Sequence, residues 1–327
     1  MEGSAETERT NGFGCYLLVL GFIIAIIMLL QTVGTRTGGS EVPAALDTQA
    51  MLKSPALRAF AVGLVFAAIA GLGIAISFLA NHNRELATSP RPRIQPSVLL
   101  ISFLVFLISF FVLSGIAGVF MVLAEVDPET ELGALNYVIL QTAVMTGAFA
   151  LGLWSLAGIV RMTREDPREI GWRLIPTLQA VVYGVGGYIA ALPFMLAALI
   201  VSQVVFRGIE TPEHPIVRTI IESKAAYAAA AALAVIVAPI VEETFFRGML
   251  YTALRSRLGV WWSSFISGAF FAAVHPTLPG GFLPILVLGM VLAILREKTG
   301  SLVPSMICHG ANNAVALVLV RLIYPFG

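Results

Sequence analysis

Charge is scarce in this chain. Only 12% of its 327 residues are Asp, Glu, Lys or Arg, while 58% are hydrophobic, and the mean hydropathy is +0.90. A soluble domain carries about a quarter charged residues, so that class is excluded and a chain that crosses a membrane several times is indicated. The two signs nearly cancel, at a formal net charge of +1. With no basic run to follow a phosphate backbone, nucleic acid is excluded as a partner. Cysteine is nearly absent as well. Cys15 and Cys308 lie far apart, in or beside apolar segments, and supply no disulfide framework. The chain also lacks an internal repeat, a polar segment of domain size, and the His-Glu-x-x-His signature of helical zinc sites.

What is present is a series of long apolar runs at 14–33, 57–80, 97–123, 136–160, 174–205, 225–257, 259–275, 281–295 and 303–323. Each reads as long enough to span, so the expected fold is an all-α polytopic transmembrane bundle of about eight to ten helices. The first run follows a short polar leader without a small-residue cleavage site after it, and reads as a retained helix. The Gly/Ser/Thr-rich stretch that opens 34–56 reads as a mobile loop. The loops carry a charge asymmetry. Arg84, Arg91 and Arg93 sit in 81–96, and Arg161, Arg164, Arg168 and Arg173 in 161–173. Between these, 125–135 holds Glu125, Asp127, Glu129 and Glu131 and no base. Positive-inside logic assigns the two basic loops to the cytoplasm. Arg255, Arg257, Arg296 and Lys298 join them if 225–257 crosses once. Pro239 falls inside that run, where it is expected to start or break a helix, and a break would invert the last third of the chain.

The chemistry gathers in that last third. The stretch from Pro239 to Leu250 places Glu242, Glu243 and Arg247 in an apolar run. An ionisable group at membrane depth costs about 2.5–3.5 kcal/mol on insertion scales and reads as functional by default. On a helix, Glu243 and Arg247 are i,i+4, about 40° apart, and can form an ion pair. Glu242 lies about 140° from Arg247 and points elsewhere. Two further polar clusters follow, Phe271 with His275 before Pro276, and His309 with Asn313 just after Pro304. If consecutive helices are antiparallel, Glu242, His275 and His309 fall in one layer of the bundle. A carboxylate helped by a neutral imidazole can take a proton from water, and a second His with an Asn can donate to an oxyanion. That set suits hydrolysis of a carbonyl compound.

Other readings of the same residues stay open. Glu243 with Arg247 also fits a purely structural ion pair, and His309 with Asn313 fits interhelical hydrogen bonding. Asn312 could replace Asn313. Cys308 beside His309 reads as an inert buried thiol. Glu242, His275 and His309 match the protein ligands of a catalytic zinc, which makes a zinc metalloprotease the rival chemistry. A transporter or non-catalytic scaffold is the rival class, since intramembrane charges also mark ion pathways.

Glu-Glu-x-x-x-Arg (Glu242, Glu243, Arg247), Phe-x-x-x-His (Phe271, His275) and His-x-x-x-Asn (His309, Asn313), in this order on successive helices, resemble the type II CAAX prenyl endopeptidases. These are also called the CPBP or Abi family of intramembrane proteases. Thr299 to Ser301 and Pro304 strengthen the resemblance, which covers roughly 225–323. It implies an intramembrane endopeptidase core over 216–327. The residues 1–215 form a helical region without a recognised motif. It further implies that Glu242 with His275 activates water, and that His309 with Asn313 stabilises the oxyanion. No metal or other cofactor is obligatory in the family. Its partners are the bilayer and prenylated or membrane-protein substrates, its setting the plasma membrane of a prokaryote, and some members serve in bacteriocin immunity.

Overall fold

The computed structural model describes residues 54–87, 92–126, 130–163, 167–207, 220 and 223–324. The first apolar run and most of 34–56 lie outside the described residues. Among the described residues there are eight helices and no strand, in agreement with the all-α expectation. They are α1 (Pro55–Ala87), α2 (Pro96–Leu123), α3 (Glu131–Thr163), α4 (Thr177–Val205), α5 (Lys224–Arg255), α6 (Val260–Ala273), α7 (Phe282–Thr299) and α8 (Val303–Ile323). Six of them, α1 to α5 and α8, are long and apolar enough to cross a membrane. The protein is an integral, multi-pass membrane protein.

The sequence expectation of one span per apolar run fails at α6 and at α7, neither of which is among the candidate spans; α6 shows the reason most plainly. This helix has 14 residues, a length of about 21 Å, short of a hydrocarbon core of about 30 Å. It leaves the end of the bundle marked by Arg255, turns through 274–281, and α7 returns to the same end, where Glu297 meets Arg255. The pair is a helical hairpin, and neither of its helices is among the six long and apolar enough to cross a membrane. Its two helices touch at Gly268 and Gly289, where a Cβ on Gly289 would lie 2.7 Å from the Cα of Gly268. Irregular backbone at membrane depth is tolerated only inside protein or against a water-filled cavity, which makes the 274–281 turn a natural wall for a polar site.

The basic loops gather at one end. Lys298 Nζ pairs with Glu85 at 2.6 Å, and Arg296 Nη2 donates to the Glu169 carbonyl at 2.6 Å. The Glu169 carboxylate in turn accepts from the backbone amides of Arg93 at 2.5 Å and Ile94 at 2.8 Å. Glu85, the Arg93–Ile94 backbone, Glu169 and the end of α7 therefore meet on one surface. The chain turns there through Gly300, whose φ of 65° suits a residue without a side chain. Ser301 Oγ then accepts from the Val303 amide at 3.2 Å, capping α8.

The largest correction concerns Pro239. A helix does not begin there. α5 runs unbroken from Lys224 to Arg255, and Glu242 sits in its middle rather than in a first turn. The chain absorbs the proline by widening into π-helix just before it, at Leu233–Val237, and a second π-helical segment, Thr244–Tyr251, follows. Proline lacks the N–H that would bond a carbonyl one turn earlier, and neighbouring helices meet the loosened carbonyls instead. From α8, Asn313 Nδ2 donates to the Ala234 carbonyl at 2.8 Å, and Gly310 lies so close that a Cβ would stand 2.6 Å from the Val235 oxygen. Gly310→Ala is therefore expected to destabilise the protein by about 1–3 kcal/mol, as overpacking does, read as an earlier unfolding transition in detergent. An unchanged transition would show that α8 can back away from α5 without loss.

The larger of two apolar clusters among the described residues surrounds the middle of α5. Phe245 stacks on Phe106 of α2 with ring centroids 3.7 Å apart, and meets Phe149 of α3 edge-on at 5.9 Å. Phe246 packs edge-on against Phe103 of α2 and Phe271 of α6. From Phe245 to Arg255 every residue of α5 is buried. A helix apolar and buried all round is a core helix, and the ionisable groups it carries are held away from both lipid and bulk water.

Candidate active site

Glu243 and Arg247 form the ion pair that their spacing anticipates, with Nη1 to Oε1 at 2.9 Å and both side chains fully buried. Arg247 Nη2 donates to the Gly289 carbonyl of α7 at 3.1 Å, and its guanidinium carbon lies 4.3 Å from the centre of the Phe271 ring of α6. The guanidinium is thus met by a carboxylate, a carbonyl and an aromatic face. A planar, delocalised cation is suited to such a place, where an ammonium is not.

The same Glu243 oxygen also meets α8. His309 Nδ1 stands 3.1 Å from Glu243 Oε1. Since an arginine-paired carboxylate can only accept, Nδ1 carries the proton and donates it. That contact turns the other ring nitrogen to Glu242. His309 Nε2 lies 3.7 Å from Glu242 Oε2, beyond hydrogen-bond length and within ion-pair range. Four groups therefore lie in a row, Arg247, Glu243, His309 and Glu242, the first three buried. Glu242, at the end of the row, keeps 19% of its side chain exposed, and its buried Oε2 accepts no hydrogen bond from the described protein. One carboxylate is ion-paired and fully buried, and the other is partly exposed at the end of the row.

His275 lies just past the end of α6 rather than on it. Its Nδ1 is 2.6 Å from the Phe271 carbonyl, an acceptor only, so the proton is on Nδ1 and the lone pair on Nε2. Its ring meets Phe271 at 4.4 Å, and Phe271 meets His309 edge-on at 5.4 Å. Phe271 is the spacer that holds the two imidazoles and the guanidinium around one ring. Its place in the motif has a physical reason, although as a residue it reads as ordinary packing. Asn313 is turned toward α5, with its amide on the Ala234 carbonyl. The Asn312 amide donates to Asn313 Oδ1 at 3.2 Å. Cys308 is fully buried, as expected of an inert thiol. Among the described residues no three of His, Cys, Asp and Glu are arranged to hold a metal ion.

Sequence reasoning missed a second polar cluster, at the basic end of α5. Tyr251 donates to Glu297 Oε2 at 2.7 Å, and Arg255 Nε reaches Glu297 Oε1 at 3.1 Å. Tyr251 and Arg255 follow Glu243 and Arg247 at steps of four along α5, the one signal that could have found them. This cluster clamps the free end of the α6–α7 hairpin to α5.

Fold and site together define the class: a polytopic helical membrane protein with a glutamate pair and two histidines, buried or half-buried, among its C-terminal helices. Residues 224–315 match the family of type II CAAX prenyl endopeptidases described as Rce1-like. The match takes in all six candidate residues, Glu242, Glu243, Arg247, His275, His309 and Asn313, and agrees with the CPBP resemblance carried by the motifs. At the level of the family it supports protease activity. No curated protein and no solved structure matches the chain.

Proposed function

We propose that this protein is an intramembrane endopeptidase that hydrolyses peptide bonds of prenylated CAAX-like or other membrane-associated substrates, with Glu242 as the base acting on water. The observation that carries this reading is the row from Arg247 to Glu242, because it separates two adjacent glutamates into a neutralised one and a reactive one. In the reaction, Glu242, assisted by His275, takes a proton from water as the oxygen attacks the scissile carbonyl. The proton then passes to the leaving amine. His309 and Asn313 serve the oxyanion: with its Nδ1 proton held by Glu243, His309 donates from Nε2 once a second proton makes it an imidazolium, into the space that Glu242 faces. Asn313, whose Nδ2 already donates to the Ala234 carbonyl, would serve with the second hydrogen of that amide. On this reading the catalytic core is 216–327, and 1–215 is the region without a recognised motif. Positive-inside charge supports a cytoplasmic position for the basic end, and the family resemblance supports the plasma membrane of a prokaryote.

The test is cleavage of a prenylated CAAX peptide by the purified full-length protein, Glu242→Ala beside wild type, each with and without a chelator. Cleavage that is lost in the variant and resists the chelator is the expected result. Loss with chelator and recovery with zinc would move Glu242, His275 and His309 to metal ligation. A wild type that cleaves neither this peptide nor an unprenylated membrane substrate would return the protein to the scaffold or transporter class.

A further inference from the structure

Two hydroxyl residues outside the candidate set grip the backbone of α5 on either side of Arg247. Ser267 Oγ of α6 donates to the Phe246 carbonyl at 3.1 Å. Thr252 Oγ1 donates to the Arg247 carbonyl itself at 3.1 Å, five residues back along its own helix. Both hydroxyl residues are buried.

The five-residue step carries the argument. In an α-helix a threonine hydroxyl bonds the carbonyl four residues back. Elsewhere in this protein the helical threonines do just that: Thr142 to Val138, Thr146 to Thr142, Thr244 to Ile240 and Thr299 to Leu295. Only Thr252 among these reaches back five, the step of a π-helix, and it does so at the end of the π-helical segment Thr244–Tyr251. Wide helical turns hold their carbonyls less tightly, and here two consecutive carbonyls are taken by side-chain hydroxyls from two different helices. A return to α-helix would break the Thr252 bond. It would also rotate the residues before it by up to about 100° for each residue gained, turning Glu243 and Arg247 out of line with His309 and Gly289.

We propose that Thr252 and Ser267 are positioning residues, whose hydroxyls hold α5 in the π-helical register that aligns Arg247, Glu243 and His309 behind Glu242. They touch neither substrate nor water. They act on the reaction only through the peptide units on either side of Arg247. This inference rests on the endopeptidase reading for its kinetic consequence, while its structural content stands apart from that reading.

The experiment compares the full-length protein with Thr252→Val, which keeps the shape and loses the hydroxyl, Thr252→Ser, which keeps the hydroxyl, and Ser267→Ala. Two readouts are taken: kcat and KM for peptide cleavage, and amide hydrogen exchange over 244–252 by mass spectrometry. Thr252→Val and Ser267→Ala are expected to lower kcat about tenfold each, the loss of one net hydrogen bond. KM should stay unchanged and exchange should rise locally over 244–252, with Thr252→Ser restoring both readouts. Wild-type kcat and unchanged exchange in Thr252→Val would overturn the proposal, as would a Thr252→Ser protein that behaves like Thr252→Val. Should Thr252→Val not fold, Ser267→Ala decides on the same readouts. If the wild type cleaves nothing, the endopeptidase reading fails, and the exchange data alone still judge the register.

Discussion

Glu242→Gln is expected to bring peptide cleavage to background while the unfolding transition stays where it is, and Glu243→Gln to lower the unfolding transition sharply. The two residues are neighbours of one chemical type, so only their surroundings separate them. Glu242 ends the row, partly exposed and outside the ion pair, whereas Glu243 is fully buried against Arg247. Glutamine there removes the base and strands nothing. The loss in rate should be at least the 10²–10⁴-fold that a positioned base contributes. Glu243 accepts from Arg247 and from His309 on one oxygen. Its amide would leave a buried guanidinium without its counter-charge, an arrangement that costs about 3–5 kcal/mol. The check is thermal unfolding in detergent beside cleavage of the prenylated peptide. An active Glu242→Gln protein would remove Glu242 from the chemistry.

Arg247→Ala is the second large effect, and it falls on the fold before it falls on the rate. The side chain is fully buried and links α5 to α7 through Gly289 and to α6 through Phe271. Truncation leaves the Glu243 charge uncompensated at membrane depth and opens a cavity beside Phe271. About 3–5 kcal/mol of stability should be lost from the charge alone. Replacing both partners, Glu243→Gln with Arg247→Met, should recover much of it, because a pair of similar volume without charge leaves no ion to solvate. The double variant should still be inactive, since His309 loses the carboxylate that turns its Nε2 toward Glu242. A double variant no more stable than Arg247→Ala would mean that the contacts of the guanidinium with Gly289 and Phe271, rather than its charge, hold the three helices together.

Much of this protein is legible from composition and spacing. Apolar runs of span length separated by charged loops determine a helical membrane protein, because a bilayer admits no other way to satisfy so much backbone. An i,i+4 spacing on one helix determines that Glu243 meets Arg247. The three polar clusters, confined to the last third of the chain, mark the site, since so few ionisable groups lie at membrane depth without a function. All of these are local signals, carried within a turn or two of helix.

What only the tertiary structure decided are relations between helices. Pro239 reads locally as a breaker, yet α5 continues through it, because Asn313 and Gly310 of α8 stand against the carbonyls around its wide turn. The run 259–275 reads as a span, yet α6 stops early and pairs with α7, because Gly268 and Gly289 let the two backbones touch. His309 reads equally well as an oxyanion donor, a zinc ligand or interhelical glue. Its position between Glu243 and Glu242 follows from how α8 lies across the middle of α5, and no local pattern encodes a crossing between segments more than sixty residues apart. Periodicity reports the face of a single helix. The partner of that face is chosen by packing, and in this protein packing also selected the π-helical register on which the alignment of the site depends.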